Sequence, residues 1–304
     1  MRQYYFQRHG RDDFDRSHRR HPAGTLPHGR ATASNPSIHG QVRGTPRTYG
    51  KRSTEDIWRQ AIVSGEWPDL SGIPLDGPVS LEFSFRVDPA CRDYNNVVSK
   101  NGPDLDTMVV GALDGLVESR SGRPTVGILR NRQQVVMIRA QKELVSQTGQ
   151  AGVDISILPC DGSAFERLRS WQYPPALTFD VSKLDLKEAS RKEGVKNAAS
   201  TANGANFRAP RSSRIGIFLA FNESTTSSPF TAGWLEAVID GLGASVVGDN
   251  RFFDVPIKPK SEFGNDDSVV FWLACAKVKD LPAEIGIRFG VYNQPALVPE
   301  SQDG

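Results

Sequence analysis

Histidine is absent from most of this chain. All five histidines lie within residues 1–53, and none follows His39. The region from Thr54 onward therefore cannot hold a Ser-His-Asp triad, a Cys-His pair or a His-Glu-x-x-His zinc site. It also lacks the Gly-x-x-x-x-Gly-Lys-Ser/Thr loop that binds nucleotide phosphates. Chemistry in this region must depend on carboxylates, lysines, hydroxyls or a metal ion held by oxygen ligands.

Cysteine is scarce, and long apolar runs are absent. Cys91, Cys160 and Cys275 lie far apart, which argues against a disulfide framework or a zinc knuckle. No apolar run is long enough to cross a bilayer, and residues 1–11 have no apolar signal core. We expect a cytoplasmic protein without membrane contact.

Positive charge is concentrated near the N-terminus. Residues 1–53 contain 11 lysines and arginines against 3 acidic residues, whereas the remainder contains 26 against 32. The segment is rich in Gly, Pro, Ser and Arg, so we expect a disordered basic tail. Such a tail either binds DNA by neutralising phosphates or is a solvated extension without a role, and both interpretations remain open. The candidate phosphate-binding residues here are Arg19, Arg20, Lys51 and Arg52.

Two segments, 79–86 and 215–221, alternate apolar and polar residues. Each pattern predicts a β-strand with one buried face. A helix is predicted after each strand, and both helices contain Asp-Gly-Leu, at 114–116 and 240–242. Further along, the matched segments are 138–139 with 257–258, and the predicted strand 153–158 with 269–274.

The repeated order of these elements predicts an internal duplication. The alternative is chance similarity between two unrelated strand–helix–strand–strand segments. The predicted fold is α+β, with a mixed sheet packed against helices in two tandem units. The predicted divisions are a tail at 1–53, a first unit at 54–160, a connector with one candidate strand and one candidate helix at 161–213, a second unit at 214–297 and a frayed end at 298–304.

Asp104 and Asp106 come directly before a helix that is predicted to run from about Thr107 to Val117. Carboxylates two residues apart on extended backbone point to the same side, so both can reach one cation. A hard ion such as Mg²⁺ binds a few carboxylate oxygens, waters and substrate phosphate, which suits phosphodiester hydrolysis. The alternative is structural, because an aspartate before a helix often accepts hydrogen bonds from its first N–H groups.

Residues 102–116, Gly-Pro-Asp-Leu-Asp-Thr-Met-Val-Val-Gly-Ala-Leu-Asp-Gly-Leu, resemble the signature helix of RusA-type Holliday junction resolvases. The early helix at 57–59 and the strand at 77–81 also resemble that family's elements. Residues 248–251, Gly-Asp-Asn-Arg, resemble its later Asp-Asp step. The resemblance implies small α+β units that dimerise and cut branched DNA with Mg²⁺. A fused pair of such units would form an intrachain pseudo-dimer.

By this resemblance, Asp104 and Asp106 are the metal ligands, and Asp249 is a third catalytic candidate. The chain departs from the family's pattern in both units. The Asp-Asp step of the first unit is replaced by Arg-Asn at 130–131, and an arginine at the metal position would repel the cation. The Asp-x-Asp of the second unit is replaced by Phe-Thr-Ala at 230–232. The motif's Asn and Lys are Thr107 and Val110.

These departures predict a RusA-like DNA-binding protein whose Mg²⁺-dependent endonuclease activity is weakened or lost. Glu118, on the loop after the helix, is a candidate substitute ligand. A non-enzymatic protein that reuses the resolvase scaffold for contacts with a protein partner is the alternative. Further candidate phosphate contacts, which are equally ordinary surface cations, are Arg139, Lys142, Lys258 and Lys260.

Overall fold

The computed structural model contains four helices and ten strands among the residues that it describes. The first half contains β1 (Ile38–Arg43), α1 (Arg52–Val63), β2 (Val79–Val87), α2 (Leu105–Leu116), β3 (Val135–Leu144) and β4 (Gly152–Pro159). The second half contains β5 (Leu177–Ser182), α3 (Glu188–Ala202), β6 (Ile215–Asn222), α4 (Leu235–Gly243), β7 (Val246–Val247), β8 (Asn250–Arg251), β9 (Val270–Val278) and β10 (Ile285–Tyr292). The described residues are 37–44, 52–68, 70–71, 73–88, 102–118, 125–160, 177–182, 187–202, 214–222, 234–243, 246–247, 250–251, 269–279, 281–282 and 284–292.

Eight of the strands form one mixed sheet in the order β1-β4-β2-β3-β9-β6-β10-β5, and β7 pairs only with β8. The fold is therefore α+β, as the sequence predicts. Helix α2 packs on β3 and β9, α1 packs on α2, and α3 packs on α4. The interior is filled by aromatic side chains from the strands, among them Phe83, Phe85, Phe221 and Phe289. No helix in the described ranges is long and apolar enough to span a membrane.

The connectivity of the first half is repeated in the second. In the first half β2 is parallel to β3 and antiparallel to β4, which is antiparallel to β1. In the second half β6 is parallel to β9 and antiparallel to β10, which is antiparallel to β5. Both parallel pairs also have a register shift directly after their first residue, at Val79/Ser80 and at Ile215/Gly216.

The two halves meet at β3 and β9, which we call the central strand pair. These strands are antiparallel, with Arg139 opposite Ala274. The end of β3 therefore lies beside the beginning of β9. As a result, one end of the sheet contains the carboxyl ends of β2 and β3 and the amino ends of β6 and β9.

The Asp-Gly-Leu sequences have the same neighbours in both halves. Asp114 on α2 accepts a hydrogen bond of 2.6 Å from Arg59 on α1. Asp240 on α4 accepts one of 2.8 Å from Lys192 on α3. Each aspartate thus joins its helix to the preceding helix by a charge-assisted hydrogen bond, which is stronger than a hydrogen bond between neutral groups.

The glycine after each aspartate permits close contact between the paired helices. A Cβ at Gly115 would lie 2.9 Å from Ile62 on α1. A Cβ at Gly241 would lie 2.6 Å from the backbone oxygen of Lys192 and 2.9 Å from Val195 on α3. Close packing of two helices therefore explains why both sequences have glycine at this position.

Part of the segment predicted to be a basic tail is a strand. Ile38 and Val42 of β1 are buried, and β1 pairs with β4 along its whole length. The ring of Trp67 fills the space beside Gly40, where an added Cβ would lie only 2.3 Å from it. The prediction is wrong for these residues because composition averaged over a long polar segment hides a six-residue strand.

The predicted match between 153–158 and 269–274 is also wrong. Residues 152–159 form β4, the antiparallel neighbour of β2, whereas residues 270–278 form β9, the parallel neighbour of β6. By position in the sheet, β4 corresponds to β10 and β3 corresponds to β9. Nearly every residue of β9 is buried, so its continuous apolar run resembles any buried strand. The matched residues 257–258 lie outside the described ranges.

Candidate metal centre

Asp104 and Asp106 lie at the beginning of α2, and we call them the aspartate pair. Asp104 is the N-cap residue, in extended conformation with φ −70° and ψ 134°, and Asp106 lies in the first turn. The side chain of Asp104 makes no capping hydrogen bond to the helix. The structural alternative, in which this carboxylate satisfies the first N–H groups, is therefore not realised.

Asp106 is a buried carboxyl with an unused acceptor. It is only 2% exposed, and its Oδ2 atom has no hydrogen-bond partner. A buried polar atom without a partner costs about 1–3 kcal/mol, so such atoms are rare in folded proteins. An orphaned carboxylate oxygen beside a second carboxylate is the arrangement that a bound cation would satisfy.

The pKa of Asp106 is raised well above its ordinary value. Burial is the largest cause, followed by the negative charges of Asp104, Glu236 and Asp240, while a hydrogen bond from the backbone of Thr107 opposes the shift. Without a cation, this carboxyl therefore keeps its proton to a higher pH than an ordinary aspartate does. Glu236 and Asp240 lie on α4, so both halves contribute negative potential at this position.

The end of β3 supports the segment that leads into the aspartate pair. Lys142, near the end of β3, is buried, and its Nζ atom donates a hydrogen bond of 2.9 Å to the carbonyl oxygen of Pro103. The same Nζ lies 4.8 Å from the ring centroid of Phe271, at the start of β9. The guanidinium carbon of Arg214 lies 4.5 Å from that ring. The first half thus provides the aspartate pair and Lys142, and the second half provides Phe271 and Arg214.

Arg130 lies at the opposite end of α2 from the aspartate pair. The backbone N–H of Leu129 donates to the carbonyl oxygen of Leu116, the last residue of α2, at 3.1 Å. A helix of 12 residues separates the two positions by about 18 Å. The predicted repulsion of a cation by Arg130 is therefore wrong, because the crossover from β2 to β3 carries the chain to the other end of the sheet. Arg130 forms an ion pair of 2.9 Å with Asp76 instead.

Glu118 does not reach the aspartate pair either. Its backbone N–H donates to the carbonyl oxygen of Leu129 at 2.7 Å, so it also lies at the carboxyl end of α2. The predicted role of Glu118 as a substitute ligand is wrong for the same geometric reason as the repulsion by Arg130.

The remaining predicted residues either pair elsewhere or lie outside the described part of the structure. Arg139 pairs with Glu82 on β2 at 3.3 Å. Arg52 begins α1, but its side chain is outside the described part of the structure. The other predicted residues that lie outside the described ranges are Arg19, Arg20, Lys51, Asp249, Lys258 and Lys260.

Among the residues that the structure describes, no group of three or more His, Cys, Asp or Glu side chains could hold a metal ion. Asp104 and Asp106 would offer a cation two carboxylates. Magnesium ions commonly bind one or two protein carboxylates and take their other ligands from water and substrate phosphate. The aspartate pair fits this ligand set.

No protein-family model, curated protein or solved structure matches this chain.

Proposed function

We propose that this chain is a RusA-like DNA-binding protein, with two fused and diverged units arranged as an intrachain pseudo-dimer. In this proposal the aspartate pair binds Mg²⁺ and supports weak endonucleolytic cleavage of branched or duplex DNA. The observation that carries the proposal is the buried carboxyl of Asp106, with its orphaned Oδ2 atom beside Asp104.

Repeated connectivity supports the pseudo-dimer. The strand order, the register shifts and the pairing of Asp114 and Asp240 with the preceding helices all occur once in each half. Two unrelated segments would not be expected to share so many independent details. The central strand pair is where the interface of a dimer of separate units would lie.

The chemistry needs few protein groups. A Mg²⁺ ion bound at this position would polarise a phosphodiester and lower the pKa of a bound water. Asp104 and Asp106 would orient the ion, and Asp106 would release its proton when the ion binds, because metal ligands must be deprotonated. The negative potential from Glu236 and Asp240 on α4 would further favour a cation.

Low activity follows from the small number of ligands. Two carboxylates leave most of the coordination sphere to water and substrate. The second half carries Phe-Thr-Ala at 230–232 in place of an Asp-x-Asp, so the proposal assigns one metal site to each chain.

A cleavage experiment with matched variants tests this function. Labelled four-way and linear DNA are incubated with wild type, Asp104→Asn, Asp106→Asn and Asp76→Asn, with Mg²⁺ or with EDTA. Asp76 is an exposed acid at the other end of α2 and serves as the control. We expect Mg²⁺-dependent cleavage by wild type and Asp76→Asn, and at least a hundredfold loss in both pair variants. Absence of cutting at high protein concentration would remove the nuclease activity from the proposal.

DNA binding is tested separately. Binding to four-way and linear DNA is measured over a range of salt concentrations in EDTA, with the full chain and with a chain that begins at residue 35. Steep salt dependence is expected because phosphate contacts release counterions. Failure of the full chain to bind either DNA would reject the DNA-binding proposal altogether.

A second candidate function is a non-enzymatic interaction protein. It is supported by the departures of the chain from the RusA pattern, since the motif's Asn and Lys are Thr107 and Val110 and the second Asp-x-Asp is Phe-Thr-Ala at 230–232. In that case the aspartate pair would be a remnant, and the scaffold would contact another protein. Calorimetric titration and thermal melting with Mg²⁺ alone separate the two candidate functions. An aspartate pair that is only a remnant would not bind the ion, and Mg²⁺ would not change the melting temperature of the protein.

A further inference from the structure

We propose that Arg214 binds a phosphate of the DNA backbone beside the aspartate pair. This inference rests on the proposed function and adds a substrate contact from the second half of the chain.

Contacts between side chains place Arg214 at the same end of the sheet as the aspartate pair. Its guanidinium carbon lies 4.5 Å from the ring centroid of Phe271. Lys142 Nζ lies 4.8 Å from the same ring and 2.9 Å from the carbonyl oxygen of Pro103, the residue before Asp104. A phosphodiester at the aspartate pair would therefore have neighbouring backbone phosphates within the range of Arg214.

The guanidinium of Arg214 belongs to a residue at the surface. The residue is exposed and directly precedes β6. Across the described ranges, no ion pair joins Arg214 to a carboxylate, and its recorded contact is with the ring of Phe271. Arginine has five N–H donors in a planar group, and stacking on a ring leaves the donors at the edge of that plane free to bind phosphate oxygens.

Phe271 fixes the orientation of the guanidinium. The phenylalanine is 4% exposed, so its ring is a rigid surface on β9. An arginine stacked on such a ring is attracted by the electrons of the ring face and loses less entropy when it binds a ligand. By contrast, Arg139 and Arg130 are both paired with carboxylates.

A fixed cation offsets the negative charge at this end of the sheet. Asp104, Glu236 and Asp240 contribute negative potential at the carboxyl of Asp106. That potential attracts Mg²⁺ but repels a phosphodiester. A fixed positive charge at the edge of the site would hold the DNA backbone close to the ion despite the surrounding carboxylates.

Quantitative DNA binding in EDTA tests the inference without any contribution from metal. The variants are Arg214→Ala, Arg214→Lys and the control Arg130→Ala, all at exposed positions. We expect Arg214→Ala to weaken binding about tenfold, the effect of one lost charge-assisted hydrogen bond. The plot of log K against log salt concentration has a negative slope, which should become less steep by about 0.9, the value for one phosphate contact.

Arg214→Lys should retain most of the salt slope but bind more weakly than wild type, because lysine keeps the charge without the planar stack. Arg130→Ala should match wild type in both quantities. Melting temperatures of all variants show whether any loss reflects unfolding instead of a missing contact.

The outcomes separate this inference from the proposed function. If wild type binds DNA and Arg214→Ala binds with the same affinity and salt slope, the role of Arg214 is overturned and the proposed function stands. If Arg130→Ala loses as much DNA affinity as Arg214→Ala, the effect is not specific to this end of the sheet, and the inference also fails. If wild type does not bind DNA, the proposed function and the inference fail together.

Discussion

The ammonium group of Lys142 donates a hydrogen bond of 2.9 Å to the carbonyl oxygen of Pro103, one residue before Asp104. This bond joins the end of β3 to the segment that carries the aspartate pair. Lys277, in the corresponding position near the end of β9, donates one of 3.0 Å to the carbonyl oxygen of Gln133 before β3. The two lysines thus support opposite ends of the sheet, and only one of those ends carries the aspartate pair.

Replacement of Lys142 by methionine should affect both stability and metal binding. The carbonyl oxygen of Pro103 would lose its partner in a buried position, which costs about 1–3 kcal/mol of unfolding free energy. Mg²⁺ affinity should fall because the backbone before Asp104 is less well fixed. Chemical denaturation and calorimetry measure the two effects. Lys277→Met is the matched control, and an equal loss of Mg²⁺ affinity in that variant would contradict the prediction.

Asp106→Asn should stabilise the metal-free protein at high pH. Burial and neighbouring acids raise the pKa of Asp106 above its ordinary value, so the folded state holds a proton that the unfolded state has lost. The unfolding free energy of wild type should therefore decrease as the pH rises from about 4 toward the raised pKa. The asparagine variant lacks this decrease, so its advantage should appear above pH 4 and grow with pH. Thermal melts from pH 4 to 8 in EDTA test this prediction. Parallel curves of melting temperature against pH for the two proteins would refute it.

Mg²⁺ binding should release a proton from Asp106. Because the carboxyl keeps its proton to a higher pH than an ordinary aspartate does in the absence of metal, affinity should rise with pH by up to about tenfold per unit, until the pH exceeds the raised pKa. Calorimetry in buffers of different ionisation enthalpy measures the number of protons released. A binding enthalpy that is the same in every buffer would show that no proton leaves.

A methyl group at Gly241 should separate α3 from α4. The added Cβ would lie 2.6 Å from the backbone oxygen of Lys192, and backbone atoms cannot move away as a flexible side chain can. We expect Gly241→Ala to cost about 1–3 kcal/mol of unfolding free energy. Gly149→Ala, with nothing within 4 Å of the new atom, is the control for alanine itself. Equal melting temperatures for the two variants would contradict the close contact.

The local patterns in the sequence predict several elements well. The alternation at 79–86 and 215–221 corresponds to β2 and β6, and the helix predicted after Asp106 corresponds to α2. These predictions succeed because each depends on residues that are neighbours in the chain. The shared Asp-Gly-Leu sequences have a common structural cause, since aspartate and glycine both contact the preceding helix.

Contacts between distant parts of the chain could not be predicted in this way. By the RusA resemblance, Arg130 takes the place of an acidic residue, yet the crossover through α2 places it far from Asp104. Arg214 and Phe271 approach the aspartate pair only because β9 is antiparallel to β3. A residue pattern contains no signal for that pairing, because β9 is buried on both faces and has no alternation.

Because the central strand pair is antiparallel, the two ends of the sheet can carry different substitutions. In an assembly of two identical chains, every substitution appears at both ends. Here each end is encoded by different residues, so one end can lose its acidic side chains without any loss at the other. If the proposed nuclease is active, a single encounter with DNA should then leave one broken strand, with the complementary strand intact.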